Sequence, residues 1–387
     1  AEFIILGRSL AAGHGMTLMS DPESPVMTKF PFGFPLLIAL VHTVVPNSLF
    51  ALKLMVAGLF VVAIFGIYRA FASVFDPYLS ALVSGATCLS VHATMYSSQV
   101  MSEMPYLLFS AVGIYSVQKS VAEPTNRNLG ITVLCLISAY YIRSITVTLI
   151  AATIVVFLLH RLWRAAATIA IGTSLLALPW IIRNSLIGGP TYASAWLWRN
   201  NPYRPELGKI DMEGFVNRVI YNVSKYVGSE MPRLFVPTWY DSEFLTSPGV
   251  APLGAVVGAI LVVLTVASLT RWIRNKHVIG VYLLFYLGIC LIWPQAWTDI
   301  RLLLPILPLI LLGVAQSFES MIRAARAKNI AVVPIVLIVI CCAGDERTVT
   351  EKEVWWAARQ GVAPAGKRRL RTGVSQAVGR VRCGIGR

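Results

Sequence analysis

The chain has 387 residues, 56% of them hydrophobic and only 13% charged, with a formal net charge of +15. Ordinary globular domains are about a quarter charged, so this composition excludes a soluble domain; charge is scarce because an ion costs several kcal/mol in hydrocarbon. The basic surplus lies in short gaps between apolar runs and in the tail, which points to membrane orientation and anionic lipid rather than nucleic acid, for which no reading module is visible.

The chain opens at Ala1 in helical pattern, with no starting methionine and no signal peptide. This reads as a fragment whose N-terminus is missing. The opening helix covers Ala1–Ala12 and ends at Gly13-His14-Gly15. A polar loop with Asp21 and Glu23 follows, then the apolar run 35–45 between Pro35 and Pro46. That run is too short for a full span and reads as a juxtamembrane helix. Candidate spans follow at 49–71, 79–97, 100–118, 129–143, 145–160, 165–182, 250–270, 278–295, 301–318 and 329–342. The fold class expected is therefore all-α, a polytopic transmembrane helix bundle covering 1–342. Beyond it, 343–387 is a basic tail, either disordered or an out-of-frame translation. After Glu353 it holds eight Lys or Arg and no acid.

Orientation follows from lysine and arginine. With the N-terminal segment outside the cytoplasm, the inner loops hold Arg69, Lys119, Arg127, Arg161, Arg164, Arg271, Arg274, Lys276, Arg323, Arg326 and Lys328. The outer turn 97–99 holds none, and 296–300 holds Asp299 alone. Counting 35–45 as a crossing would break this asymmetry. The outer segment is then 1–34, and the long outer loop is 183–249, rich in tryptophan and tyrosine. Loops of that length are usually functional. No internal repeat of the kind found in secondary transporters is present.

Acids near the membrane are few, so each is informative. Glu103 opens a span at its outer end. It is either a solvated carboxylate favoured by the helix dipole or a carboxylate at the mouth of an outer cavity, able to orient a hydroxyl or bind a metal. Glu2, in the opening helix, is either a face residue or a carboxylate within reach of an acceptor hydroxyl. Arg143, Arg183 and Arg301 stand at outer ends of spans. They either snorkel to headgroups or clamp a phosphate through planar bidentate donors. His14 and His42 have no partner at ligand spacing, and the six cysteines show no metal pattern. Asn222-Val223-Ser224 fits the N-glycosylation pattern. No P-loop, dinucleotide fingerprint or zinc-protease motif occurs.

Several of these segments, taken together, resemble a family. Phe3-Ile4-Ile5-Leu6-Gly7-Arg8-Ser9-Leu10-Ala11-Ala12-Gly13-His14-Gly15 is similar to the first outer loop of GT-C glycosyltransferases. The resemblance is to the protein mannosyltransferase and aminoarabinose transferase-like branch in particular. Phe30-Pro31-Phe32-Gly33-Phe34-Pro35-Leu36-Leu37, Ser102-Glu103, Pro179-Trp180 to Arg183-Asn184 and Arg301-Leu302-Leu303-Leu304-Pro305 follow in matching order. The likeness spans roughly 1–342. It implies a GT-C-like bundle that moves a sugar from a polyprenyl-phosphate donor to a lipid, glycan or protein acceptor. The transfer takes place at the extracytoplasmic face of the plasma or inner membrane, among membrane lipids and without nucleic acid. The family's catalytic base is an Asp in this loop. No Asp precedes Phe3, so either that residue is lost with the N-terminus, together with a first spanning helix, or Glu2 is part of that acidic cluster. The resemblance further implies that Glu103 positions the acceptor or a divalent cation, and that Arg301, with Arg143 or Arg183, stabilises the leaving phosphate. The metal itself is not shown by the sequence. The rival readings are a surface-polysaccharide ligase or polymerase, and a multi-pass transporter or flippase.

Overall fold

The computed structural model describes residues 2–188, 199–236 and 251–327. The chain divides into two units, Ala1–Ala331 and Val332–Arg387. The second unit, the expected basic tail and the whole of the expected span 329–342 lie outside the described residues. Among the described residues the structure is helical throughout, with isolated bridges at Thr17–Val26 and Arg199–Lys209 in place of any strand.

Two short helices come first. α1 (Glu2–Ala11) packs on α2 (Gly33–Val44) through Gly7, where a Cβ would collide with the Ile38 side chain. The 12 residues of α2 rise about 18 Å, well short of the hydrocarbon thickness of about 30 Å.

α3 (Leu49–Ala72) is capped by Ser48, whose hydroxyl accepts from the Ala51 amide at 3.1 Å. Leu52, Val56, Phe60, Ala63 and Ile67 form its buried stripe, while Leu54, Val61 and Phe65 are more than half exposed. A helix apolar on every face belongs in lipid rather than in water. α4 (Pro77–Leu89) starts at Asp76, which accepts from the Tyr78 and Leu79 amides. The expected continuous span 79–97 is interrupted: Ser90 is extended, and a new helix, α5 (Val91–Ser97), begins beyond it.

α6 (Glu103–Ala122) is the central helix, packed by α3, α7 (Asn126–Ile142) and α8 (Val147–Leu159). Twelve of its 20 residues are buried. It therefore tolerates Glu103, Gln118 and several serines that a lipid-facing helix would not. α9 (Trp163–Ile187) runs beyond the expected end at 182, and Gly188 closes it at φ 71°. The expected long loop 183–249 contains helix among its described residues: α10 (Met212–Lys225), a π-helical stretch Tyr226–Glu230 and α11 (Met231–Phe235) run on from one another.

α12 (Ala251–Arg274) and α13 (Val278–Ile292) follow. The expected span 301–318 does not begin as an α-helix. Two 3-10 turns, Ile300–Leu302 and Leu304–Ile306, precede α14 (Leu307–Ala327), because Pro305 has no amide to donate. Among the described residues, four stretches are long and apolar enough to cross a membrane: Leu49–Ala72, Trp163–Ile187, Leu253–Arg274 and Ile300–Ala324. Shorter apolar helices cover Gly33–Val44, Pro77–Leu89, Ser144–Leu159 and Val278–Ile292.

Candidate functional site

One cavity of about 340 Å³ gathers residues from widely separated segments. Each arrives for a local reason. Glu2 sits in the first turn of α1, and the helix is fixed by Phe3, whose ring meets Phe30 at 4.7 Å and Phe34 at 5.1 Å. The loop after α1 turns through Gly13 and Gly15, at φ 80° and 73°. It folds back where the Met27 amide donates to Met16 O at 2.7 Å, delivering Lys29 and Phe30 to the cavity.

Glu103 opens α6 and is 6% exposed. α7 ends at Ile142, and the extended Arg143 reaches across, its Nη1 lying 3.0 Å from Glu103 Oε1. Glu103 Oε2 is buried and makes no hydrogen bond among the described residues. A buried carboxylate oxygen left open costs free energy unless a ligand or water satisfies it. Glu103 lines the cavity, so a ligand hydroxyl that entered it and reached the covered Oε2 would supply the missing donor.

The far wall is the segment from Trp293 to Leu302. It is held by α10. Asn222 donates to Leu291 O and Trp293 O, both at 2.8 Å, and accepts from the Thr298 hydroxyl at 2.9 Å. Lys225 donates to Thr298 O at 2.5 Å. Tyr203 closes the rim edge-on to Trp297, at 5.9 Å between ring centroids. Arg301 is paired with Asp299 at 3.1 Å, but both side chains are about 40% exposed, so the pair is weak and Arg301 remains available to an anion.

Glu2, Glu103, Arg143 and Arg301 thus line the same cavity. Arg183 is not among the lining residues. Its guanidinium lies 4.5 Å from the Trp180 ring centroid and donates to Met27 O at 3.2 Å and to Asn184 Oδ1 at 2.7 Å. With Asn184, which donates to Thr28 O, it fixes the backbone just before Lys29. His42 serves its own helix end, its Nδ1 accepting from the Asn47 amide. Asn222 is fully buried with its amide groups engaged, so the folded chain does not present it for glycosylation.

Sequence reasoning passed over Lys29, Tyr203, Trp293 and Trp297 as individual lining residues. Lys29 had a signal: it is the only lysine before Lys53 and immediately precedes the Phe30-Pro31 turn. Its ammonium sits 4.8 Å from the Trp297 ring centroid and 5.0 Å from that of Phe30. Burial lowers its pKa, and the Glu2 carboxylate opposes that shift.

The lining therefore carries two carboxylates that can accept from hydroxyls, three cations that can meet an anion, and aromatic faces between them. Among the described residues no three His, Cys, Asp or Glu side chains gather as metal ligands, and Glu103 Oε1 is taken by Arg143. Two carboxylates, one of them engaged by Arg143, offer a divalent cation few of the oxygen ligands it takes. Comparisons with protein-family models, with curated proteins and with solved structures find no match to this chain.

Proposed function

We propose that the protein is a membrane glycosyltransferase that moves a sugar from a polyprenyl-phosphate donor to an acceptor hydroxyl at the outer membrane face. The observation that carries this reading is the cavity itself. It sets Glu103, whose buried Oε2 is unpartnered, among Glu2, Lys29, Arg143, Arg301 and aromatic rings. A lipid-linked phosphosugar presents the matching groups: hydroxyls for carboxylates, a phosphate for arginine and lysine, and a ring face for tryptophan.

In this mechanism the Glu2 carboxylate takes the proton from the acceptor hydroxyl. The acceptor oxygen bonds to the anomeric carbon as the bond from that carbon to the phosphate oxygen breaks. The bonding pair leaves on the phosphate, where Arg301 and Lys29 offset the added charge. Glu103, steadied on Oε1 by Arg143, accepts from a substrate hydroxyl through Oε2 and holds it for attack. The four apolar helices supply the lipid setting that a polyprenyl chain needs.

The test supplies a radiolabelled polyprenyl-phosphate sugar to vesicles holding the protein or its Glu103→Gln variant. Label is expected to move to an acceptor with the parent chain and to slow by about 100-fold or more with the variant. Equal turnover would remove Glu103 from the mechanism. A folded parent chain that moves no label from any such donor would end the glycosyl-transfer reading.

One observation favours a transporter or flippase instead: the helix break at Ser90 within an expected span. The same assay separates the two, since a transporter carries the labelled donor across intact and leaves its sugar–phosphate bond unbroken.

A further inference from the structure

α10 is built with its polarity arranged in three sectors. At 100° per residue, Phe215, Val219, Met212, Val223, Val216 and Ile220 form one continuous apolar arc of about 140°. Glu213, Ser224, Asn217 and Tyr221 form the next sector and are exposed. Gly214, Lys225, Arg218 and Asn222 form the third, and this sector faces the protein. The two residues a water-facing surface would hold best are the most deeply buried: Arg218 is 2% exposed and Asn222 0%. The residues a core would hold best are outside, with Met212 78%, Ile220 58%, Val216 49% and Val223 41% exposed.

A helix at the surface of a water-soluble body has the reverse order. Three sectors fit a helix with three neighbours: protein, water and a third apolar phase. Position supplies the third neighbour. The buried face grips carbonyls at the end of α13, those of Leu291 and the capping Trp293, so α10 lies at the end of an apolar helix. Trp293 and Trp297 stand at the same level, as tryptophans do at the boundary of a bilayer.

We infer that α10 is an interfacial helix, lying along the membrane surface with Met212, Val216, Ile220 and Val223 among lipid acyl chains. Its occupant is the bilayer, not a protein partner. Arg218 serves as the bolt on the opposite side, donating to Arg199 O at 2.6 Å and so tying the preceding loop to the helix. Because Asn222 and Lys225 hold the cavity wall at Trp293 and Thr298, the helix also sets that wall beside the lipid surface. This inference needs only the apolar helices and stands whether or not the protein transfers sugars.

The experiment uses the full chain in phosphatidylcholine vesicles whose acyl chains carry a diazirine. After irradiation, adducts are mapped by mass spectrometry. Adducts are expected on Met212, Val216, Ile220 and Val223, and on the Val61 and Phe65 face of α3 as the internal reference. The Arg218 and Asn222 face should be clear. The double variant Val216→Asn with Ile220→Asn should keep its thermal stability, since both side chains are exposed, yet lose the adducts on α10. Adducts on α3 with none on α10 would overturn the inference, as would cross-links from α10 to another protein chain. Strong labelling of Val216 and Ile220 by a water-soluble diazirine would overturn it too.

Discussion

Arg301 and Glu230 show how burial decides what a charged residue can do. Arg301 is well exposed and its bond to Asp299 is weak. Arg301→Ala should therefore leave thermal stability nearly unchanged while weakening donor binding by roughly 10- to 100-fold, the worth of a charge-assisted hydrogen bond. Direct binding of a polyprenyl phosphate checks this; unchanged affinity would reduce Arg301 to an interface anchor. Glu230 is 2% exposed and bonded to Arg233 at 2.9 Å. Burial raises its carboxyl pKa above the usual 4.5, and Arg233 only partly opposes the shift. A carboxyl whose pKa is raised on folding holds its proton better in the folded chain. Its contribution is thus greatest in acid and is lost as pH rises from the carboxylate range through the raised value. Glu230→Gln should flatten the fall in melting temperature as pH rises above the ordinary carboxylate range; an unaltered slope would show that Glu230 does not set it. At this scale the sequence was partly legible. Glu103 and Arg143 stood out because charge interrupting an apolar run demands a reason. Their 3.0 Å pairing was not legible, because it depends on α7 stopping at Ile142 and Arg143 extending across. Lys29 sits in a loop without period, and only the fold-back at Met27 brings it in.

Among the elements, apolar length located the helices well and the breaks poorly. Runs such as 49–71 and 250–270 became α3 and α12 with ends close to those expected, because apolar residues on every side leave a chain in lipid little choice but helix. The interruption at Ser90 and the 3-10 turns around Pro305 were hidden, since hydropathy does not register a change of backbone within an apolar run. α10 was hidden for a related reason: its apolar arc is too short to read as a span. Two glycines test how tightly elements are joined. A Cβ on Gly258 of α12 would run into the Val227 carbonyl oxygen in the π-helical stretch and lie 3.1 Å from Pro232 Cγ. A Cβ on Gly58 of α3 would meet nothing within 4 Å. Gly258→Ala is expected to cost about 1–3 kcal/mol through overpacking, while Gly58→Ala leaves stability unchanged or higher. Thermal unfolding of both in detergent checks this, and equal melting temperatures would mean that the α12 contact relaxes freely.

For the molecule as a whole, the charge rule makes a claim about sides that labelling can settle. Between Asp21 and Asn275 the chain passes through α3, the α4–α5 pair, α6, α7, α8, α9 and α12, which makes seven crossings if α2 does not cross. An odd number puts the two residues on opposite sides. A cysteine at Asp21 should react with an impermeant maleimide only from outside, and one at Asn275 only from inside, in a chain cleared of its native cysteines. Reaction of both from one side would mean that α2 crosses after all. The expectation rests on lysine and arginine, which mark one set of loops consistently. The sequence could not make the cavity legible, since no local pattern in Glu2, Lys29, Glu103, Arg143, Tyr203 or Trp297 announces that they meet.

That meeting has a consequence for the order of events during synthesis. The cavity wall begins at Glu2 and ends at Leu302. At about 5–20 residues per second, the last contributor leaves the ribosome roughly 15–60 s after the first. Throughout that interval Glu2, Lys29 and Glu103 have no opposite wall, and α10 has no Thr298 to hold. The nascent chain is therefore assembled helix by helix long before it owns a binding site, and any product released before Leu302 lacks that site altogether.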